Sequence, residues 1–229
     1  MGASGDGRRL RWTQHRAQCR EAFVAAGAAA IDRFGAAASA EQIAEVAGVG
    51  RTVLYRYFRD GEDLRQAIAH HVVQDVVGSV LPKLQLRRMC TPREMLAAAV
   101  GTIVGWLDEH PNQYQFLRSR TSSLGSLADN VAPVLKLMVI VFGMPGEAAE
   151  PAAYGIAGFV EASSAWWLTS RSMPREHFTG LVCTGVLHLV EGTALDHGVV
   201  VDYDKPLPTA ALAATDEHRL VTQPQIARQ

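Results

Sequence analysis

Gly48-Val49-Gly50 stands between two short apolar-periodic stretches, and this interruption restricts the chain more than any other feature. A Gly-x-Gly serves either to cradle phosphate or to turn one helix onto the next. A dinucleotide fingerprint needs a strand before the glycines and a third Gly two residues further on. Here an apolar helix-period segment precedes them, and Val53 fills the third position. A P-loop needs Gly at 45 and Lys at 51, where Glu45 and Arg51 stand. Both phosphate loops fail, and the elbow of a helix-turn-helix remains.

The wheel agrees. Ile43, Ala44 and Ala47 line one face of the first short helix, and Leu54 and Phe58 lie four apart on the next, able to pack there with Val49. Arg51, Thr52, Tyr55, Arg56 and Arg59 then fall within about one third of the opposite surface on a 3.6-residue period. Arginines with hydroxyl-bearing neighbours fit phosphates and guanine edges; the plainer reading is a solvated basic face.

Helix punctuation runs through the rest, giving an all-α chain of about nine helices. A first helix is predicted over 17–34, ending at Gly35. Ser39 caps a second over 40–47, a third spans 51–58, and a fourth spans 62–81 before Pro82. Thr91-Pro92-Arg93-Glu94 is a capping box with Pro at the first helical position. Its helix stops before Pro111, and shorter or bent helices follow over 112–121 and 127–142. Two long ones are predicted over 147–170 and 173–198, the latter capped by Ser172. Residues 199–204 read as a short strand and 205–229 as a tail.

Charge is unevenly placed. Residues 1–60 carry nine Arg against six Asp or Glu, whereas the remainder is net acidic. Arg8, Arg9, Arg11, Arg16 and Arg20 face only Asp6 in the first twenty residues. Such a segment fits an anionic partner or a solvated tail. The three cysteines, Cys19, Cys90 and Cys183, are far apart and fit a reducing cytoplasm. The stretch 22–31 mimics a signal peptide, but Phe23, Ala26, Ala30 and Phe34 recur at helical spacing and Asp32-Arg33 interrupts it. No membrane span, metal-ligand spacing, nucleophile elbow or paired-acid motif appears, so Glu161, His110 and His188 do not make an enzyme, and no cofactor is expected.

The stretch SAEQIAEVAGVGRTVLYRYFRDGEDL, 39–64, resembles the DNA-binding domain of the tetracycline-repressor (TetR) family, matching in register at Ile43, Ala44, Ala47, Gly48, Val49, Leu54, Tyr55, Tyr57, Phe58 and Leu64. With the preceding helix it covers about a quarter of the chain. The resemblance implies a ligand-responsive transcriptional regulator, a repressor released by an apolar or amphipathic small molecule, bound as a homodimer to a palindromic operator. It divides the chain into a basic arm (1–16), a DNA-binding domain (17–61), a ligand-binding and dimerisation domain (62–198) and a tail (199–229). The charge of the leading segment, the wheel and the resemblance together assign to DNA Arg8, Arg9, Arg11, Ser39, Gly50, Arg51, Thr52, Val53, Tyr55, Arg56 and Tyr57. Gly50 stands where the family has a capping Ser, and Gly61 where it has a phosphate-binding Lys, so a cap bond and a phosphate contact are missing. A helical protein-interaction module with weakened DNA binding is the alternative.

The resemblance also implies a four-helix dimer bundle. Gly158, Phe159 and Ala162 on one long helix, and Leu181, Gly185 and Leu189 on the other, supply small and apolar contacts for it, or else ordinary core. Trp106, Tyr114, Phe116, Leu117, Met138, Phe142 and Trp166 are the candidates for lining a ligand cavity, where the plainer reading is again core.

Overall fold

Helix ends decide the layout. The computed structural model describes residues 4–80, 82–83, 91–120, 132, 136, 145–200 and 202–206, with side chains from residue 12 onward. Among the described residues there are eight helices and no strand: α1 (Ser4–Phe34), α2 (Ala40–Val46), α3 (Arg51–Leu54), α4 (Gly61–Val80), α5 (Pro92–Glu109), α6 (Pro111–Arg118), α7 (Gly146–Ser170) and α8 (Arg175–Asp196). The helix expected over 127–142 lies outside the described residues apart from Ala132 and Lys136, both helical.

Several expected boundaries move. The first helix begins at Ser4 rather than about 17, because nothing in 4–16 stops a helix: there is no proline. The third ends as α-helix at Leu54 and continues as tighter turns, with Arg56 N donating to Val53 O (3.1 Å) and Tyr57 N to Leu54 O (2.9 Å). Pro174, not Ser172, precedes α8. Residues 202–205 form a turn rather than a strand, with Asp204 N donating to Asp202 Oδ1 at 3.1 Å.

By packing, the chain forms two units, Met1–Val76 with Glu109–Ser126, and Val77–Asp108 with Leu127–Gln229. In the first, α1 packs on α2 and α6, and α2 on α3. Phe23, Ile31, Ile43, Leu54, Phe58, Leu64 and Ile68 are buried there. Full burial of a side chain such as Leu54 stabilises by about 1.5–3 kcal/mol. Gly27 lets α1 approach α4: a Cβ on it would lie 2.3 Å from Ile68 Cδ1. The start of α6 is fastened to α1 at one carboxylate. Asp32 Oδ2 accepts from Gln113 Nε2 (2.6 Å) and lies 2.7 Å from His110 Nδ1, while Asn112 Nδ2 donates to Asp32 O (2.9 Å).

In the second unit α5, α7 and α8 share a core that includes Val100, Val104, Ile156, Trp167, Phe178, Val182 and Val186. Trp167 stacks on Phe178 with ring centroids 4.9 Å apart, and its Nε1 donates to Met173 O at 2.9 Å. The chain then turns through Arg171, whose left-handed φ of 46° is supported by an ion pair with Asp108 and by stacking on Trp167. Thr91 and Glu94 make the expected reciprocal cap of α5 (Thr91 N to Glu94 Oε2 2.9 Å, Glu94 N to Thr91 Oγ1 3.2 Å). Helix α8 is the one described helix long and apolar enough by composition to cross a bilayer, although its Phe178, Val182, Val186 and Val190 face is buried in this unit.

Candidate nucleic-acid interface

The turn between α2 and α3 is built by its first glycine. Gly48 has φ +66°, and around it Gly48 N donates to Glu45 O (3.1 Å) and Val49 N to Ala44 O (3.0 Å). These bonds close the last carbonyls of α2 in the pattern that favours glycine just past a helix. Gly50 is extended (φ −74°, ψ 147°) and caps α3 without any side-chain bond. At the other end of α2, Ser39 and Gln42 form a reciprocal cap, with Ser39 N to Gln42 Oε1 at 2.8 Å and Gln42 N to Ser39 Oγ at 3.3 Å. The serine is therefore occupied in holding α2.

Along α3 and the turns after it, Leu54 and Phe58 are buried and Val53, Tyr55 and Tyr57 half-buried, while Arg51, Thr52, Arg56 and Arg59 are exposed. The four other residues that the wheel places on the basic face are outward, but Tyr55 is half-buried. Tyr57 is turned inward. Its ring meets Phe23 edge-on at 5.0 Å, Arg16 lies 5.7 Å over it, and hydrogen bonding to Cys19, then burial, pushes its hydroxyl pKa up. Arg59 is braced by Asp63, which accepts its backbone N–H at 2.9 Å.

Two residues outside the predicted set join the interface. Arg16 on α1 donates to Arg56 O (3.0 Å) and lies 6.0 Å over the exposed Trp12 ring, tying the basic start of α1 to the segment after α3. Glu41 on α2 accepts from Arg51 Nη1 at 2.5 Å. The signal for Arg16 lay in the run of leading arginines; for Glu41 it was a lone carboxylate one residue past the Ala40 that opens α2. The backbone of 4–11 is helical, and the side chains of Arg8, Arg9 and Arg11 lie outside the described ones.

The other candidates separate. Tyr114 and Phe116 are buried and Leu117 half-buried on α6 in the first unit, where Phe116 sits between Arg65 (6.0 Å) and Arg120 (5.7 Å). Trp106 is half-buried on α5 in the second unit. Trp166 is 53% exposed, because its neighbour Trp167 takes the core position and adjacent helical residues point about 100° apart. Met138 and Phe142 lie outside the described residues. Of the bundle candidates, Gly158, Ala162, Leu181 and Leu189 are exposed, together with Tyr154 and Leu195. Phe159 and Gly185 instead pack on each other within the chain: a Cβ on Gly185 would lie 2.4 Å from Phe159 Cζ.

Two short helices joined by a glycine turn, with the apolar side of the second buried and its basic side outward, define a helix-turn-helix DNA-binding protein. The sequence pattern of the bacterial regulatory proteins of the tetR family matches residues 23–68. An HTH-type transcriptional regulator of Mycobacterium tuberculosis is 29% identical over 180 residues, covering 73% of this chain and 75% of that one. The fold is shared with a tetR-family transcriptional regulator from Streptomyces coelicolor (TM-score 0.66, 19% identity, 92% of this chain and 91% of that one). It is also shared with a Rhodococcus sp. Rha1 transcriptional regulator (TM-score 0.62, 18% identity, 80% and 99%). Residues 23–68 thus carry the pattern of the tetR-family DNA-binding domain, and the chain shares the fold of TetR-family transcriptional regulators.

Proposed function

We propose that this regulator binds a palindromic operator as a homodimer, acts as a cytoplasmic repressor, and releases DNA when an apolar or amphipathic small molecule binds its larger helical domain (62–198). The observation that carries the DNA part is the outward face of Arg51, Thr52, Arg56 and Arg59 over the buried Leu54 and Phe58. Those side chains suit a major groove, where arginine pairs with guanine O6 and N7 and hydroxyls serve either partner. Arg16 holds α1 beside this face, and the sequence before it adds the positive charge of Arg8, Arg9 and Arg11. The dimer part is supported by the exposed stripe Tyr154, Gly158, Ala162 and Trp166 on α7 and Leu181, Leu189 and Leu195 on α8. Apolar side chains in one such row, beside glycines that admit close helix approach, favour a like helix as partner.

The test is a binding titration of labelled DNA from upstream of the protein's own coding region at several salt concentrations. The reading predicts that log K falls linearly with log salt, by about 0.9 per neutralised phosphate, and that unrelated DNA binds far more weakly. Equal, weak binding to both duplexes overturns it in favour of a protein-interaction role.

A further inference from the structure

A carboxylate of α2, Glu41, is paired with the arginine that opens α3. Glu41 and Arg51 have side chains 59% and 57% exposed, so their 2.5 Å contact adds little to folding. Its effect falls on the arginine. Glu41 accepts from Nη1, and the guanidinium carbon lies 5.4 Å from the centroid of the Tyr55 ring. A flexible cation is thereby contacted by a side chain of α2 and by the residue that follows α3. Glu41 itself stays ionised, since its own backbone N–H, and next the Ser39 hydroxyl, hold its pKa below the usual value.

An arginine fixed in advance loses less conformational entropy when it meets a base edge. A carboxylate beside it also repels phosphates, which weakens sequence-independent attraction. Resting on the DNA-binding reading above, we infer that Glu41 is a specificity-determining positioning residue: it aims Arg51 at a guanine edge and disfavours binding to unrelated DNA.

The experiment starts with selection of duplexes from a randomised pool by the wild-type full chain, giving a consensus duplex and a shuffled duplex of equal composition. Affinities for both are then measured for wild type, Glu41→Ala, Glu41→Gln, Arg51→Ala and the Glu41→Ala/Arg51→Ala double variant, with circular dichroism confirming the fold. Glu41→Ala is expected to lower the consensus-to-shuffled ratio at least about fivefold, the lower end of what a bidentate guanine contact discriminates. It should also steepen the salt slope on shuffled DNA by up to about 0.9 per bound protomer. Glu41→Gln keeps an acceptor at the same reach without the charge, so it should recover most of the ratio while shuffled DNA still binds more tightly than to wild type. In the Arg51→Ala background, Glu41→Ala should leave the ratio unchanged. An unchanged ratio in Glu41→Ala overturns the inference, as does an equal fall with and without Arg51 or a Gln variant as unselective as Ala. A wild-type chain that enriches no sequence overturns the DNA-binding reading itself, and the inference with it.

Discussion

Replacing Gly158 with glutamate separates the protomer's own packing from the proposed dimer. Gly158 is exposed on α7, and no described atom beyond its own helix backbone lies within 4 Å of where its Cβ would be, so a side chain can start there without a clash. Glutamate also favours a helix interior over glycine, by about 0.5–1 kcal/mol. The isolated protomer should therefore fold at least as well as wild type. In the proposed bundle the same carboxylate would be buried without a partner, a cost of about 3–5 kcal/mol. Because a twofold dimer carries the change in both protomers, the dimer dissociation constant should then rise by at least about a hundredfold. Gly185 supplies the opposite control. A methyl there lies 2.4 Å from the Phe159 ring, so Gly185→Ala should destabilise the protomer, by about 1–3 kcal/mol if the ring is forced off its position. Sedimentation velocity across a concentration series, paired with thermal melts, reads both effects. A Gly158→Glu chain that sediments as a dimer at micromolar concentration would refute the assignment of this face. A Gly158→Glu chain that melts well below wild type as a monomer would refute the claim that the face is open.

Arg51→Ala is expected to weaken operator binding by about 1–3 kcal/mol in a chain of unchanged fold, as measured by titration against the consensus duplex. Deleting residues 1–12 should weaken binding to every duplex and flatten the salt dependence by about 0.9 for each phosphate that the arm neutralises; an unchanged slope would make the start of α1 a passive extension. The Asp204 carboxyl is held below its usual range, first by its hydrogen bond from Arg93. A depressed carboxyl stabilises above its unfolded pKa and loses that contribution as pH falls through the folded one. The difference in Tm between wild type and Asp204→Asn should therefore be present at neutral pH, begin to shrink below the ordinary value of about 3.9, and vanish only below the lower folded-state value.

Many helix ends were legible in the sequence because they are defined by neighbours in the chain. Ser39, Gly48, Pro92 and Pro111 mark helix ends through backbone chemistry that extends over four or five residues. Leu54 and Phe58 are buried as their four-residue spacing implies. Contacts across tens of residues were not legible: Arg16 with Arg56, and Asp32 with the start of α6, depend on how helices are set against one another. Helix α7 shows why periodicity fails in the body. Apolar or small residues occupy nearly its whole circumference, so Trp166 and Trp167 look alike until α8 packs on one of them. The same ambiguity covered Phe159 and Gly185, which serve the interior, and Leu181 and Leu189, which do not.

Hydroxyl-radical footprinting of the complex on the selected duplex, with native mass spectrometry of the same sample, tests the central claim most directly. A homodimer on a palindromic operator gives two chains per duplex and two protected segments related by a twofold axis, their centres about 34–36 Å or a multiple of that apart. One chain per duplex with a single asymmetric protected segment would contradict it.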